Sequence, residues 1–262
     1  MTTFDPKRMT EAFAVAPASS RRRLLAAAGI AAATGFMGLM PSFARAAVGG
    51  LASHKVLIVG AGVGGATAAK YLKLWDPEID VTVIDRNPTF IRHYGSSEHL
   101  TGAVSMADLT VSYDGLRARG VKVVQAAAVG LDPDRKVVHG ESNGLRQSYP
   151  YDTLIVSPGV ELLYDAVPGY SAELAETKIP SGWIAGAQTE LLRRQLLAMP
   201  EDGTFVLVAP PNPYRCPPGP YERSALVTEW MQHHKPKGRV VILDPKNDFV
   251  TDETMKIGRA HV

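Results

Sequence analysis

Short runs of aliphatic and β-branched residues alternate along this chain with stretches whose apolar residues recur at helical spacing. The run Val56 to Val59 is followed by a glycine-rich turn, a helical stretch and a second apolar run, Val81 to Ile84. Unbroken apolar runs of this length are typical of strands buried on both faces, as in a parallel sheet. The order strand, turn, helix, strand predicts a βαβ unit.

The same order returns in the second half of the chain. The pattern predicts a helix over about Thr189 to Met199, a strand at TFVLVAP, a helix over about Tyr221 to His234 and a strand, RVVILD, ending at Asp244. Between the two units, residues 120 to 140 predict two strands of a small β-meander around an Asp-Pro turn. We therefore predict an α/β fold with two Rossmann-like units.

Composition and charge narrow the class of protein. The chain has 262 residues, of which 45% are hydrophobic and 21% charged, as in ordinary globular proteins. Its formal net charge is +2, and much of the basic excess lies in the first 46 residues. We expect no nucleic-acid partner, because no basic stripe is interleaved with aromatic residues. We also expect no metal site, because the histidines and the cysteine lack ligand spacing.

The first 46 residues have the pattern of an export signal. A twin-arginine sequence, SRRRLL, precedes the apolar stretch Leu24 to Met40 and the small-residue site Ala44 to Ala46. A membrane anchor is the alternative, but the stretch is rich in Ala and Gly and only weakly hydrophobic. We expect cleavage after Ala46, no stable membrane insertion afterwards, and a mature protein in the periplasm, where disulfides persist.

A glycine pattern follows the first predicted strand. Gly60, Gly62 and Gly65 fit G-x-G-x-x-G, in which the glycines allow a tight turn, close approach of a pyrophosphate and helix-on-strand packing. The pyrophosphate would lie at the N-terminus of the helix that starts near Gly64. Asp85, twenty residues beyond Gly65, is placed to accept a hydrogen bond from the adenosine ribose. The pattern predicts an ADP-containing cofactor.

The run YDTLIVSPG, residues 151 to 159, helps to distinguish FAD from NAD as the cofactor. It resembles the strand and turn, here ending at Gly159, that flavoproteins with two dinucleotide-binding units place beside FAD. An ordinary buried strand with a Pro-Gly turn is the alternative. Its position after the glycine pattern favours FAD over NAD.

The loop of the second unit lacks the glycine pattern. It reads PPNPYRCPPGPYE, and its prolines have no amide hydrogen to donate to a pyrophosphate. We predict that this unit is not a nicotinamide site. The loop holds Cys216, the only cysteine in the chain, just ahead of a helix N-terminus that favours a thiolate. A buried structural thiol is its alternative role. Glu222, six residues on, is either a helix-capping carboxylate or a catalytic base.

Four segments carry a family resemblance: VLIVGAGVGGATAAKYLKLWDPEIDVTVID, YDGLRARGVKVV, YDTLIVSPGVELLYDAVPGY and YRCPPGPYERSALV. Together, over about Lys55 to Asp244, they resemble the flavoprotein subunit of flavocytochrome c sulfide dehydrogenase, which is related to the sulfide:quinone reductases. The resemblance implies a glutathione-reductase-like fold, FAD, sulfide as substrate, and a heterodimer with a c-type cytochrome subunit that accepts the electrons. It also implies that Cys216 is one half of a redox-active disulfide and that Glu222 is an acid/base.

On this resemblance the chain divides into a signal peptide (1–46), the first part of an FAD-binding domain (47–168), a degenerate and truncated NAD-type domain (169–255) and a final segment (256–262). That segment departs from the family pattern and matches the translation of a common sequencing adaptor, so we interpret it as an artefact. We expect a fragment that is incomplete at its C-terminus, lacks the second cysteine and is inactive alone; a natural short protein is the alternative. Two other functions stay open: a sulfide:quinone reductase, and a non-catalytic FAD-binding electron-transfer partner.

Overall fold

The structure is a computed structural model, and it describes residues 54–247. The predicted signal segment (1–46) and the predicted artefact (256–262) lie outside the described residues. The strands are β1 (Lys55–Val59), β2 (Asp80–Asp85), β3 (Thr89–Ile91), β4 (Thr110–Ser112), β5 (Lys122–Gln125), β6 (Ala127–Asp132), β7 (Val137–Ser142), β8 (Leu145–Pro150), β9 (Thr153–Val156), β10 (Thr204–Val208) and β11 (Arg239–Leu243). The α-helices are α1 (Val63–Trp75), α2 (Ser96–Thr101), α3 (Met106–Leu109), α4 (Asp114–Arg117), α5 (Ala172–Thr177), α6 (Ala187–Ala198) and α7 (Gly219–His234).

A four-stranded parallel sheet forms the first Rossmann-like unit. Its strand order is β5-β2-β1-β9, with Val56 paired with Val81 on one side and with Thr153 on the other. The chain moves outward from β1 to β2 and β5, and later returns to place β9 on the opposite side of β1. The strand order therefore reverses at β1, which is where α/β sheets bind ligands.

The apolar run of β1 is buried because its side chains alternate between two cores. Val56 and Ile58 pack with Val81 and Val83 and with helix α1 on one face of the sheet. Leu57 packs on the other face, in a core made with the antiparallel strands. These contacts confirm the predicted strands at residues 56–59 and 81–84.

The segment 120–140 was predicted only in part. Strands β6 and β7 form the expected antiparallel pair around the Asp-Pro turn. Two further strands were missed: β5, which pairs in parallel with β2, and β8, which pairs with β7. Ala126, 3% exposed, lies between β5 and β6, and its amide donates to the carbonyl oxygen of Asp85. Hydrophobic alternation identifies strands but not their partners, so the sequence could not divide this segment between two sheets.

The second unit repeats strand, helix and strand as predicted. Strands β10 and β11 are parallel, with Val206 opposite Val241. Helix α6 runs over Ala187–Ala198, and α7 over Gly219–His234, two residues earlier at its start than predicted. Their buried residues form one core with β10 and β11: Leu196, Phe205, Val227, Trp230 and Met231.

Helix α2, which the sequence did not predict, joins the two units. Arg193 on α6 donates from Nη1 to the carbonyl oxygens of His99 and Leu100, at 2.9 and 2.8 Å. His99 is 5% exposed. Its Nδ1 donates to the carbonyl oxygen of Val104 at 3.0 Å, and its Nε2 lies 3.2 Å from Oε1 of Glu190, outside hydrogen-bond geometry. His99 is therefore a buried residue of the contact between the two units.

Candidate functional site: a glycine turn and a cysteine loop

Two glycines of the first turn are required by the fold itself. Gly60 has φ +95°, and a Cβ there would lie 2.0 Å from the carbonyl oxygen of Ser157. A Cβ on Gly65 would lie 1.8 Å from the carbonyl oxygen of Gly60. The turn between β1 and α1 therefore packs against both the end of β9 and the helix that follows it, and neither position has room for a side chain.

Gly62 differs, because no protein atom requires it to be glycine. Its φ is −69°, and the nearest heavy atom to a Cβ would be Cε2 of Phe90, at an ordinary contact distance of 3.8 Å. Gly62 is also the N-cap of α1 and gives that helix no side-chain cap. The first amides of α1 thus border space that a methyl group would fill, which fits the approach of a pyrophosphate.

Gly64 and Gly159 lie at the same edge of the sheet. A Cβ on Gly64 would meet Oγ of Ser157 at 2.6 Å, a side-chain atom that can rotate away. The amide of Ser157 donates to the carbonyl oxygen of Val59 at 2.8 Å, which fixes the turn after β9 beside the glycine turn. Gly159 is exposed with φ +84°, and a Cβ there would meet nothing within 4 Å, so its backbone conformation alone accounts for the glycine.

Asp85 stabilises the glycine turn. Its Oδ2 accepts a hydrogen bond from the amide of Ala61 at 2.7 Å, and its Oδ1 accepts one from the amide of Asn87 at 2.8 Å. Burial and then the nearby Asp85 charge raise the pKa of Tyr113 to about 12, so this neighbour stays neutral at physiological pH. Each carboxylate oxygen retains a lone pair. The predicted ribose contact of Asp85 stays a prediction.

The start of α7 contrasts with the start of α1, because its amides are already bonded within the loop. The amide of Gly219 donates to the carbonyl oxygen of Cys216 at 2.9 Å. Those of Tyr221 and Glu222 both donate to Pro218, at 3.0 and 2.9 Å, and the remaining residue of this turn is a proline. This geometry offers no amide donor to a pyrophosphate and gives a physical basis to the prediction that the second unit is not a nicotinamide site.

NADH should therefore not reduce the purified protein. We expect millimolar NADH to leave the absorbance of the predicted FAD near 450 nm unchanged under anaerobic conditions, because the first amides of α7 are already bonded within the loop. The measurement is a spectrum recorded before and after NADH, with dithionite as the positive control for reduction. Rapid bleaching by NADH would show that the loop rearranges to admit a nicotinamide.

Cys216 lies exposed in the loop that precedes α7. Its φ is +58°, a left-handed conformation that residues with a Cβ seldom adopt. Its Sγ lies 3.2 Å from the position that a Cβ on Gly219 would take. Tyr214 stabilises the loop by donating from its hydroxyl to the carbonyl oxygen of Pro217 at 2.7 Å. The alternative of a buried structural thiol does not describe this cysteine, because the residue is exposed.

Glu222 is exposed in the first turn of α7. The N-cap of that helix is Pro218, and no side chain caps it. The Glu222 carboxylate makes no hydrogen bond or ion pair within residues 54–247. Capping by a hydrogen bond is thus not its role here, while an interaction with the helix dipole and an acid/base role both stay compatible with its position.

Sequence reasoning missed Arg223, which follows Glu222 directly. Arg223 is 8% exposed and donates to Oγ of Ser96 at 3.0 Å and to Oγ of Ser97 at 3.3 Å. Burial lowers the pKa of Arg223 to about 10, and the nearby Cys216 sulfur acts in the opposite direction. The available signal was its spacing, since four residues along a helix from Gly219 place Arg223 on the same face as the glycine beside Cys216.

Neither a metal centre nor a membrane-spanning helix is found in the described part of the chain. No three His, Cys, Asp or Glu side chains within residues 54–247 converge as metal ligands would. None of the helices described has both the length and the apolar character that crossing a bilayer requires.

Two sequence families match the two units. A model of the pyridine nucleotide-disulphide oxidoreductase family matches residues 54–193, which is more than half of the chain. A model of the central part of the sulfide dehydrogenase (flavocytochrome c) flavoprotein chain matches residues 189–261, which include Cys216, Glu222 and Arg223.

Curated relatives cover different parts of the chain. A type II NADH:quinone oxidoreductase, NdhA, from Mycobacterium tuberculosis is 32% identical over 120 residues, which are 45% of this chain and 25% of that protein. The sulfide dehydrogenase (flavocytochrome c) flavoprotein chain of Chlorobaculum thiosulfatiphilum is 46% identical over 39 residues, 15% of this chain and 81% of that sequence. The chain thus spans about a quarter of the length of NdhA.

Solved structures share the fold. The sulfide:quinone oxidoreductase of Aquifex aeolicus superposes with a TM-score of 0.58 at 22% identity, covering 72% of this chain and 43% of that one. The water-forming NADH oxidase of Lactobacillus brevis gives a TM-score of 0.56 at 22% identity, covering 79% of this chain and 45% of that one. These matches confirm the predicted Rossmann-like FAD/NAD-binding fold.

The family match and the sulfide dehydrogenase relative also confirm the resemblance drawn from the sequence. The first unit carries the glycine turn, and the second carries the cysteine loop within the matched sulfide dehydrogenase region. The chain belongs to the pyridine nucleotide-disulphide oxidoreductase family of oxidoreductases and, within it, is related to the flavoprotein chain of flavocytochrome c sulfide dehydrogenase.

Proposed function

We propose that this protein is the periplasmic flavoprotein subunit of a sulfide dehydrogenase, which oxidises sulfide through a redox-active disulfide and FAD and passes electrons to a c-type cytochrome subunit. One observation carries the proposal. Exposed Cys216 lies before α7, where a nicotinamide-binding unit needs free amides, and the match to the sulfide dehydrogenase flavoprotein chain covers this loop. We therefore infer that the loop before α7 reacts with sulfur compounds and does not bind a nicotinamide cofactor.

The first unit would hold FAD. The amides of Gly62 and Gly64 at the start of α1 would bind the pyrophosphate, Asp85 would accept from the ribose, and the turn ending at Gly159 would border the cofactor. FAD supplies an acceptor for two electrons that can release them one at a time, as a haem partner requires. The protein's contribution is to bind and orient it.

The reaction with sulfide would take place at Cys216 in the second unit. Hydrosulfide attacks one sulfur of a disulfide between Cys216 and a second cysteine. A new S–S bond forms as a persulfide, the old S–S bond breaks, and the other cysteine leaves as a thiolate that carries the electron pair. This chain contains one cysteine, so the second sulfur comes from outside these residues. The exposure of Cys216 gives hydrosulfide access to the bond.

The full-length protein, which would carry the second cysteine, should test this proposal through its choice of electron acceptor. We expect sulfide to bleach the flavin anaerobically and to drive reduction of cytochrome c, at a rate above that with a short-chain quinone. The spectra of the flavin and of the cytochrome haem measure both steps. Faster transfer to the quinone would favour a sulfide:quinone reductase, and a flavin that sulfide cannot reduce would indicate a non-catalytic electron-transfer partner.

Replacing Glu222 by glutamine should slow turnover without loosening the fold. If the exposed carboxylate exchanges protons with the sulfur at Cys216, we expect sulfide-dependent turnover to fall about ten- to hundredfold, with an altered pH profile. Steady-state rates between pH 6 and 9 measure the effect.

The matched control is Glu229→Gln, an exposed carboxylate further along α7 that lies 3.5 Å from His233 and away from the cysteine loop. We expect its turnover to equal that of the unmodified protein. Equal pH profiles in both variants would restrict Glu222 to a favourable interaction with the helix dipole, worth about 0.3 to 1 kcal/mol of stability.

A further inference from the structure

Arg223 is a buried cation without a counter-charge in the described part of the chain. Its guanidinium donates from Nε to Ser97 and from Nη2 to Ser96, and both acceptors are neutral hydroxyls. No carboxylate within residues 54–247 forms an ion pair with it. Buried charges in proteins are normally paired, because leaving water is costly for an ion. A buried arginine that stays charged is stabilised by an anion close to its guanidinium.

The geometry places Cys216 next to this cation. Gly219 and Arg223 are four residues apart on α7, so they share a face and are separated by about 6 Å along the helix axis. The Cys216 Sγ lies against Gly219, 3.2 Å from the position of a Cβ there. The sulfur and the guanidinium therefore occupy neighbouring positions on one helix face.

Two consecutive residues, Gly182 and Trp183, lie beside Arg223 and Gly219 respectively. A Cβ on Gly182 would lie 3.0 Å from Nη1 of Arg223. The ring of Trp183 approaches within 3.4 Å of the Cβ position on Gly219. Because Nη1 is the guanidinium nitrogen that the two serines do not use, it is free to act on an anion beside Cys216. The electrostatic effect of Cys216 on the pKa of Arg223 agrees with this proximity.

We propose that Arg223 is a positioning residue for anionic sulfur: its guanidinium stabilises the Cys216 thiolate and attracts small sulfur anions to it. The attraction of hydrosulfide rests on the proposed function, whereas the effect on the thiolate does not. Helix α2 holds the guanidinium through Ser96 and Ser97, so the first unit fixes the charge that acts on a cysteine of the second. An arginine is suited to this task because it stays charged when buried.

Alkylation of Cys216 tests the proposal without sulfide or turnover. The thiolate is the nucleophile, so the rate with iodoacetamide after mild reduction reports its population. We expect Arg223→Gln to lower the rate at pH 7 about tenfold and to move the pH of half-maximal rate upward. Peptide mass spectrometry assigns the product to Cys216, and flavin absorbance and the unfolding temperature report the fold.

The matched controls are Arg223→Lys, which keeps the charge, and Arg215→Met, which removes an exposed charge next to Cys216 in the sequence. We expect both to react within about threefold of the unmodified protein. An Arg223→Gln variant with native flavin content and an unchanged alkylation profile would overturn the proposal. If alkylation slows in that variant but sulfide never reduces the flavin, Arg223 keeps its role and the proposed substrate is wrong.

A measurement on the unmodified protein keeps the proposal testable if Arg223→Gln does not fold. A nearby cation attracts the anion iodoacetate relative to neutral iodoacetamide. We expect the ratio of the two alkylation rates at Cys216 to exceed that of glutathione at least threefold and to fall at high salt. A ratio equal to that of glutathione would overturn the proposal.

Discussion

In the full-length protein, Cys216→Ser should reduce sulfide-dependent cytochrome c reduction by at least two to three orders of magnitude while leaving FAD content nearly intact. A loss of that size corresponds to a barrier increase of roughly 3 to 4 kcal/mol at 1.36 kcal/mol per decade. Serine cannot form the disulfide that hydrosulfide attacks, and its hydroxyl is far less acidic than a thiol. The measurement combines the turnover rate with the flavin absorbance per protein.

The structure explains why chemistry and cofactor binding should separate in this variant. Cys216 is exposed in the second unit, whereas the glycine turn lies between β1 and α1 of the first. Serine adopts the φ of +58° no less readily than cysteine, so the loop should keep its shape. We expect an unfolding temperature within about 2 °C of the unmodified protein. Near-normal turnover by a flavin-replete serine variant would make the cysteine structural and end the proposed sulfur chemistry.

The glycine turn could be predicted from the sequence because several of its constraints are local. Gly60 has a positive φ and Gly65 lies against the backbone of Gly60, and both constraints act within one turn, although Gly60 also lies against the distant carbonyl oxygen of Ser157. The same holds for the second unit, where a helix signal follows a proline loop and the structure confirms both. Local constraints recur in every protein with such a turn, so the residue pattern alone reports them.

Pairings between distant segments could not be predicted in this way. The partner of β5 is β2, across about 40 residues, and nothing in the local pattern of Lys122–Gln125 selects it. Arg223 is the clearest case at the site, because its partner Ser96 lies 127 residues away. Its burial depends on α2, a helix of six residues whose periodicity is too short to read. The sequence around Arg223 therefore predicts only the start of a helix and does not indicate that this side chain is buried.

Gly65→Ala should destabilise the fold, whereas Gly62→Ala should weaken FAD binding without destabilising the fold. At Gly65 the new Cβ would lie 1.8 Å from the carbonyl oxygen of Gly60, and backbone atoms must move to admit it. We expect a loss of at least about 3 kcal/mol, as for severe overpacking. That loss lowers the unfolding temperature by about 6 to 12 °C in a domain of this size. Circular dichroism of the cofactor-free proteins measures it.

At Gly62 the methyl group meets only Cε2 of Phe90, at 3.8 Å, and the φ of −69° suits alanine. We expect the cofactor-free Gly62→Ala protein to unfold within about 2 °C of the unmodified one. Its FAD affinity should fall at least a hundredfold, or about 2.8 kcal/mol, because the methyl occupies the space of the pyrophosphate. Titration followed by flavin fluorescence measures the affinity. Native affinity in this variant would place the pyrophosphate elsewhere, and an equal loss of stability in both variants would show that the open space at Gly62 serves the fold rather than the cofactor.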